Sequence, residues 1–469
     1  MLKRKVYREL LQWKEQRRSE QIRKCLLLKG ARQVGKSFII EEFGKKEYDS
    51  FLKIDFFLQP NMKGIFEGEL TADEILKRMT AYVRDFELIP GNTLIFLDEI
   101  QCCGNARTAI KYLAMDFRID VISSGSLLGL TYGEDDDEAV EIPESVPVGY
   151  ETQITMHSLD FEEFLWADGY DSAAIDALKS YYTSGATVPA AVHEKYESLF
   201  REFIVVGGMP EVVNNYVQHH DFNRVDRLQQ DILAEYRDDI AKHAKGKEKV
   251  LVRMCYDAIP IQLMKEQKKF QYSTVERGQA RKKYGGSVQW LNDSAMVQVC
   301  YNLNEPYLPL KANANGDQFK LYLNDTGLLC CSYGFETKLA VLNDTVTGNA
   351  RGGIYENAIS ECLTKRGYSL YYYKPDSVHE IEFFIESSGA VIPIEVKAGN
   401  RSTPSLNQYI ARYRPPFAYK LTNTQNGRVD EKNHAPTLYG HVYLIYFTAI
   451  LLSKRPWVRI PPGALFQNP

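Results

Sequence analysis

A polar opening gives way to apolar runs that alternate with helical periodicity. Residues 1–23 read as a polar, basic helix. Cys25-Leu26-Leu27-Leu28 is a near-continuous apolar run that enters a glycine-flanked turn and then a helix from Ser37. Runs of the same kind lie near residues 51–57, at 94–97 and at 121–123, with helical stretches at 71–83 and 106–115 between them. Apolar strands without polar alternation are buried on both faces, so the pattern predicts a parallel sheet covered by helices. From about residue 156 the periodicity is helical. Asp160 and Glu163 have the spacing of a capping box ahead of Phe161, and Gly207-Gly208-Met209-Pro210 breaks the helical run. Helices continue to about 264. A basic stretch follows at 265–300, with a helical segment near 276–292, and residues 296–301 read as a strand. In the last third, residues 355–365 read as a helix and 369–373, 380–385 and 391–396 as strands.

Composition adds limits rather than detail. A chain of 469 residues suggests about three domains. With 44% hydrophobic and 25% charged residues, wholesale disorder is excluded. A net charge of −4 gives no chain-wide reason to bind nucleic acid or an acidic membrane. The charge is uneven, however: residues 242–283 hold twelve Lys and Arg against four Asp and Glu. Eight cysteines without a C-x-x-C exclude a disulfide scaffold and a thiol-based zinc or redox pair. The N-terminus has no apolar core of a signal peptide, and the longest apolar run, residues 442–452, falls well short of the ~20 needed to cross a bilayer. These features predict a cytoplasmic protein without membrane partners. The acidic run 134–138 reads as a solvated loop, and 451–469, rich in proline and without periodicity, as an unstructured tail.

The chemistry begins in the turn after the first strand. Gly30-Ala31-Arg32-Gln33-Val34-Gly35-Lys36-Ser37 fits G-x-x-x-x-G-K-[ST] between a strand and a helix. Such a loop turns backbone amides toward phosphate oxygens at a helix N-terminus. Lys36 is expected to reach the β- and γ-phosphates and Ser37 to ligate Mg²⁺. Farther on, the apolar strand 93–97 ends in Asp98-Glu99. Asp98 is expected to hold Mg²⁺, and Glu99 to orient or deprotonate the attacking water. The acid pair favours hydrolysis over binding alone. The third strand ends in Ser123-Ser124-Gly125-Ser126. Placed between the other two strands, Ser124, or else Ser126, could hold the lytic water.

These stretches in order, GARQVGKS, LIFLDEIQ, SSGSLLG, PVGYETQITMHSLDFEEFLWA and VVGGMPEVV, with LYLNDTGLL and IYENAISECL beyond, resemble an AAA+-like ATPase family of bacteria and archaea. In that family the ATPase domain precedes a domain of unknown function, DUF4143. The resemblance runs from residue 24 to about 400. It implies ATP as the nucleotide, a P-loop core at 24–157, a helical lid at 158–235, a winged-helix-like segment at 236–335 and an α/β restriction-endonuclease-like domain at 336–450. The residue after Pro-Val-Gly is usually arginine in the family and is Tyr150 here, so an arginine contribution from that point is absent.

The last segment also carries charge in a pattern. Glu356 lies in a helix, Glu380 and Glu382 alternate along one strand, and Glu395-Val396-Lys397 closes another. A helix glutamate, a strand acid and then acid-x-Lys resemble the PD-(D/E)xK nuclease core. There Glu382 and Glu395 would hold Mg²⁺ and Lys397 would steady the water or the developing charge. Glu382 stands where family members usually have aspartate, which displaces the carboxylate by about one methylene.

The whole predicts an ATPase whose turnover moves its C-terminal modules. Two other readings stay open: an ATP-held switch that recruits nucleic acid or a protein partner, and an ATP-gated nuclease. The stretch 242–283 suits contact with DNA phosphates, although a solvated helix face fits it equally well. An oligomer is compatible with all three.

Overall fold

The computed structural model describes residues 2–19, 23–126, 147–183, 188–244, 248–276, 281–397, 404–422, 429–430 and 437–447. The acidic run 134–138 and the tail 451–469 lie outside them, as do parts of the basic stretch. The chain divides into two compact units, Met1–Ser158 with Asp293–Ala295, and Leu159–Asn292 with Met296–Pro469.

In the first unit five parallel strands are ordered β2-β3-β4-β1-β5. They are β1 (Cys25–Gly30), β2 (Ser50–Asp55), β3 (Thr93–Asp98), β4 (Ile119–Ser126) and β5 (Glu151–Thr155). Because side chains alternate along a strand, each apolar run feeds two cores. Leu27, Ile95, Leu97 and Val121 pack with Ile75 and Met79 of helix Ala72–Tyr82 and with Ile110 and Leu113 of helix Gly104–Ala114. Leu26, Leu28, Phe96 and Ile122 face the other way, onto Ile39, Ile40 and Phe43 of helix Lys36–Glu47. The N-terminal helix Val6–Ser19 joins this second core through Val6, Leu10 and Trp13. Burying one such side chain stabilises by about 1.5–3 kcal/mol. One turn beyond Trp13, buried Arg17 pairs with Asp120, which also accepts from the Tyr48 hydroxyl at 2.8 Å. The topology places β4 between β1 and β3, where the sequence reading expected its hydroxyls.

The second unit holds helices Phe161–Ala167, Ser172–Thr183, Ala190–Val206, Pro210–His219, Phe222–His243 and Glu248–Leu263. Asp160 and Glu163 form the expected capping box. Gly207 adopts φ 72°, and a Cβ at Gly208 would stand 2.0 Å from the Leu159 carbonyl oxygen, so the glycine pair permits a close backbone approach. Asp325 accepts from the Gly208 amide at 2.7 Å and from Leu328 N at 3.1 Å. The motifs VVGGMPEVV and LYLNDTGLL therefore dock on each other.

An eight-stranded sheet completes this unit, in the order β12-β13-β11-β10-β9-β8-β6-β7. Its strands are β6 (Val297–Leu303), β7 (Ala314–Leu323), β8 (Leu370–Tyr373), β9 (Ile381–Ser387), β10 (Ala390–Val396), β11 (Ala418–Thr422), β12 (Val429–Asp430) and β13 (Thr437–His441). The segment 236–335, expected as a separate winged-helix-like module, is not separate. Cys300, Tyr301 and Asn302 of β6 pair in parallel with Leu370, Tyr371 and Tyr372 of β8. The expected boundary at 335/336 thus falls inside one sheet. β6 is bonded along both edges, to β7 antiparallel and to β8 in parallel, and its side chains are buried on both faces, so it is an interior strand of the sheet. The helices after Ser158, expected as a lid on the ATPase core, likewise group with this sheet. The helix expected near 276–292 is present as Arg281–Asp293, and a short helix, Tyr272–Val275, precedes it.

Candidate functional site

The loop after β1 is shaped by two left-handed residues, Gln33 at φ 63° and Gly35 at φ 89°. Turns of this kind make the anion-binding concavities of phosphate loops. Gly30 cannot be replaced without backbone movement, because a Cβ there would meet the Met156 carbonyl oxygen at 2.2 Å. Met156 N itself donates to the Lys29 carbonyl at 2.7 Å, which fixes that approach. Lys36 opens the helix, is buried, and donates to the Gly30 and Ala31 carbonyls at 3.0 and 2.8 Å. Burial lowers its ammonium to about 8, with the carboxylates of Glu99 and Asp98 opposing the shift. The side chain expected to reach phosphates is held against its own loop.

Asp98 is the centre of the site. Ser37 Oγ donates to its Oδ1 at 3.0 Å, Ser124 Oγ donates to the same oxygen, and Lys53 Nζ lies 3.0 Å from Oδ2. Lys53, on β2, also pairs with Glu41 at 2.9 Å. Burial alone would lower the Lys53 ammonium, yet its bonds to Glu41 and Asp98 outweigh that and leave the pKa raised. Glu99 follows in a left-handed conformation, φ 52° and ψ 51°, and accepts from the Gln101 side-chain amide. The structure thus brings Ser37, Asp98 and Ser124 together. Ser124 is turned onto Asp98 rather than left open toward a water, and the Ser126 side chain lies outside what is described. Tyr150 packs against the core of the sheet.

Sequence reasoning missed Lys53. Its only signal was a charged residue two positions before Asp55 in an apolar strand, and its partner lies on a neighbouring strand. Mg²⁺ fits this site: a serine hydroxyl and a carboxylate oxygen 3.0 Å apart at a phosphate loop are the hard oxygen donors that the ion takes.

The C-terminal acids also converge, but on lysines. Glu356 lies 2.8 Å from Lys268 Nζ and 3.3 Å from Lys320 Nζ, and accepts from the Tyr322 hydroxyl at 3.1 Å. Lys320 reaches Glu380 at 2.5 Å, and Lys374 reaches the same carboxylate at 3.0 Å. Lys397 Nζ is 2.6 Å from Glu382 and 3.4 Å from Glu395. Burial opposes ionisation of Glu356, yet Lys268 and Lys320 hold its carboxyl down at about 2. Burial, with Glu382 alongside, pushes Glu395 up to about 8. Glu380 stands just before β9 rather than within it. Among the described residues, no three His, Cys, Asp or Glu side chains are grouped to hold a metal ion. As they stand, these residues do not fit a divalent cation. Lys268, Lys320 and Tyr322 were not anticipated, although Lys320 and Tyr322 share one face of β7 by period two.

Three known families match successive stretches of the chain. Residues 22–165 match the family described as AAA domain. This part of the chain is an AAA domain of the P-loop ATPase family. Beyond the AAA domain, residues 197–339 match a domain of unknown function, DUF8612, and residues 351–438 match another, DUF4143. Two solved structures resemble the chain distantly. The Walker-type ATPase of Pyrococcus abyssi is 14% identical, with 71% of this chain and 96% of that one covered and a TM-score of 0.41. The Thermotoga maritima RuvB Holliday junction branch migration motor is 12% identical, with 63% and 89% covered and a TM-score of 0.27. No curated protein sequence matches the chain. No helix among the described residues is long and apolar enough to cross a membrane.

Proposed function

We propose that the AAA domain binds Mg·ATP at the loop 30–37 and hydrolyses it slowly, and that turnover rearranges the C-terminal sheet and its helices. The observation that carries this reading is the convergence of Ser37, Ser124 and Lys53 on Asp98, beside a glycine-rich loop whose lysine is buried. Lys36 exchanges its two carbonyl partners for phosphate oxygens, which favours its charged form. Ser37 and Asp98 hold Mg²⁺, which when bound offsets charge on the phosphates. Ser124 and Lys53 fix the Asp98 carboxylate through its two oxygens. Glu99 accepts a proton from the attacking water or orients it, and its left-handed backbone turns it away from the strand direction of Asp98. The sequence carries no guanine-reading motif, and ATP as the nucleotide rests on the family resemblance. A second reading, an ATP-held switch with little turnover, is favoured by the bond from Gln101 to Glu99, which occupies the would-be base. Under either reading, DNA is a proposed partner of residues 242–283, less Lys268, which is turned to Glu356.

Phosphate release from Mg·ATP should be followed for wild type and Glu99→Gln, with and without single- and double-stranded DNA. The amide keeps shape and loses basicity. The mutant is therefore expected to retain Mg·ATP and to turn over roughly 10²–10⁴-fold more slowly. Equal rates would remove Glu99 from this role. Wild type that binds Mg·ATP without turnover under every DNA condition would leave the switch.

A further inference from the structure

The nuclease-like pattern in the C-terminal sheet asks for a divalent cation held by acids, and the structure supplies positive charge by another route. Four carboxylates, Glu356, Glu380, Glu382 and Glu395, meet four ammonium groups, Lys268, Lys320, Lys374 and Lys397. The cluster therefore has no surplus negative charge to attract Mg²⁺ or Mn²⁺.

The four lysines are not equivalent. Lys397 retains 27% of its side-chain exposure and lies beside the acids of the acid-x-Lys pattern. It could swing aside as a cation entered, so its pairing alone decides nothing. Lys320 is different. Its side chain is 1% exposed, in the buried second half of the edge strand β7, and its ammonium touches Glu356 on the helix Gly348–Lys365 and Glu380 just before β9. A divalent cation bound between those acids would displace an ammonium whose side chain is almost wholly buried. A buried charge stripped of its partners is strongly unfavourable. Ligand positions on Glu356 and Glu382 are also taken, whereas the buried Glu395 oxygens accept no hydrogen bond and have only the Lys397 ammonium, 3.4 Å away. Tyr322 donates to Glu356 Oε2 at 3.1 Å, and the Val396 amide donates to Glu382 Oε2 at 3.1 Å. Mg²⁺ needs near-octahedral oxygen ligands, and these oxygens point at donors instead.

We infer that the carboxylate cluster is a metal-free ion-pair core, in which Lys320 supplies between Glu356 and Glu380 the positive charge that a divalent cation would otherwise bring, and that this sheet does not cleave nucleic acid. None of these residues lies in the AAA domain, so the ion-pair core and the nucleotide site stand or fall separately. Lys268 and Lys320 hold the helix Gly348–Lys365 to the sheet by charge, at the positions where the fold pattern places a catalytic metal.

The test is Mn²⁺ binding to the nucleotide-free full chain by electron paramagnetic resonance, with Mg²⁺-dependent plasmid cleavage in parallel. Asp98→Asn in every sample silences the nucleotide site. The expected result is no Mn²⁺ uptake that depends on Glu395 or Glu382, and no cleavage. Lys320→Met should then acquire a Mn²⁺ site at least roughly tenfold tighter than any in the parent, because it leaves the cluster one positive charge short, with Glu356 keeping only Lys268 and Glu380 only Lys374. That site should disappear on adding Glu356→Gln. Mn²⁺ uptake by the parent that is lost in Glu395→Gln would overturn the inference, as would cleavage lost in the same variant. So would a folded Lys320→Met that gains no site. Should Lys320→Met fail to fold, Lys320→Met with Glu356→Gln removes the uncompensated charge. Recovery of the fold in that pair supports the charge role, and failure in both overturns it.

Discussion

Lys36 combines two demands that conflict in the free protein: it must be buried under the phosphate loop, and it must be charged when phosphates arrive. Burial has brought its ammonium to about 8. Phosphate oxygens favour the charged form, so nucleotide binding raises the pKa again. The sign follows: below about pH 8 the lysine is already charged, and above it binding must take up a proton. ATP affinity should fall as pH rises from about 8 to about 9, with proton uptake seen in calorimetry as a heat that depends on the buffer's ionisation enthalpy. Affinity and heat that stay level across that range would show that Lys36 is not the titrating contact. Lys53 admits a separate check. Its ammonium neutralises Asp98 Oδ2, so Lys53→Met should leave Asp98 more attractive to Mg²⁺ and lower the half-saturating Mg²⁺ for nucleotide binding by about threefold or more. Lys53→Arg should restore the parental value. A merely structural lysine would change stability without moving the Mg²⁺ requirement.

At the scale of elements, the strands and the phosphate loop were readable because their signals are local. Leu94 to Leu97 is apolar without a break, and a glycine-rich turn between a strand and a helix has few other uses. Asp98 was readable for the same reason, as the first acid after a buried run. The N-terminal helix shows the limit. Its composition is polar and basic, yet Val6, Leu10, Trp13 and Arg17 fall on one row at helical spacing, and that row is buried. The charged end of the row concealed it, since Arg17 reads as solvated until Asp120, more than a hundred residues away, appears beside it. Arg17→Met should cost about 3 kcal/mol in chemical denaturation, because it leaves the buried Asp120 carboxylate with only the Tyr48 hydroxyl. A loss below about 1 kcal/mol would mean that the pair acts as a surface bridge does. Strand partners were the least legible feature. Residues 296–301 read as a strand and lie in or next to β6 (Val297–Leu303), but nothing local says that its neighbour begins at Leu370, and so a winged module was expected where a continuous sheet exists.

For the whole molecule, the order of motifs along the chain located the phosphate loop and the C-terminal carboxylate pattern but not how the middle is divided. The phosphate loop lies in the first unit, and the helices after Ser158 group with the C-terminal sheet. The basic stretch illustrates why charge counts alone mislead: Lys268, counted toward a phosphate-binding patch, instead forms an ion pair with a buried glutamate. The central claim is that the loop around Lys36 is the seat of Mg·ATP binding and turnover. It is tested most directly by calorimetric titration of Mg·ATP into wild type and Lys36→Ala, each confirmed folded by its thermal transition. The account predicts binding to wild type and none to Lys36→Ala at an unchanged transition, whereas unchanged ATP affinity in the folded mutant would contradict it.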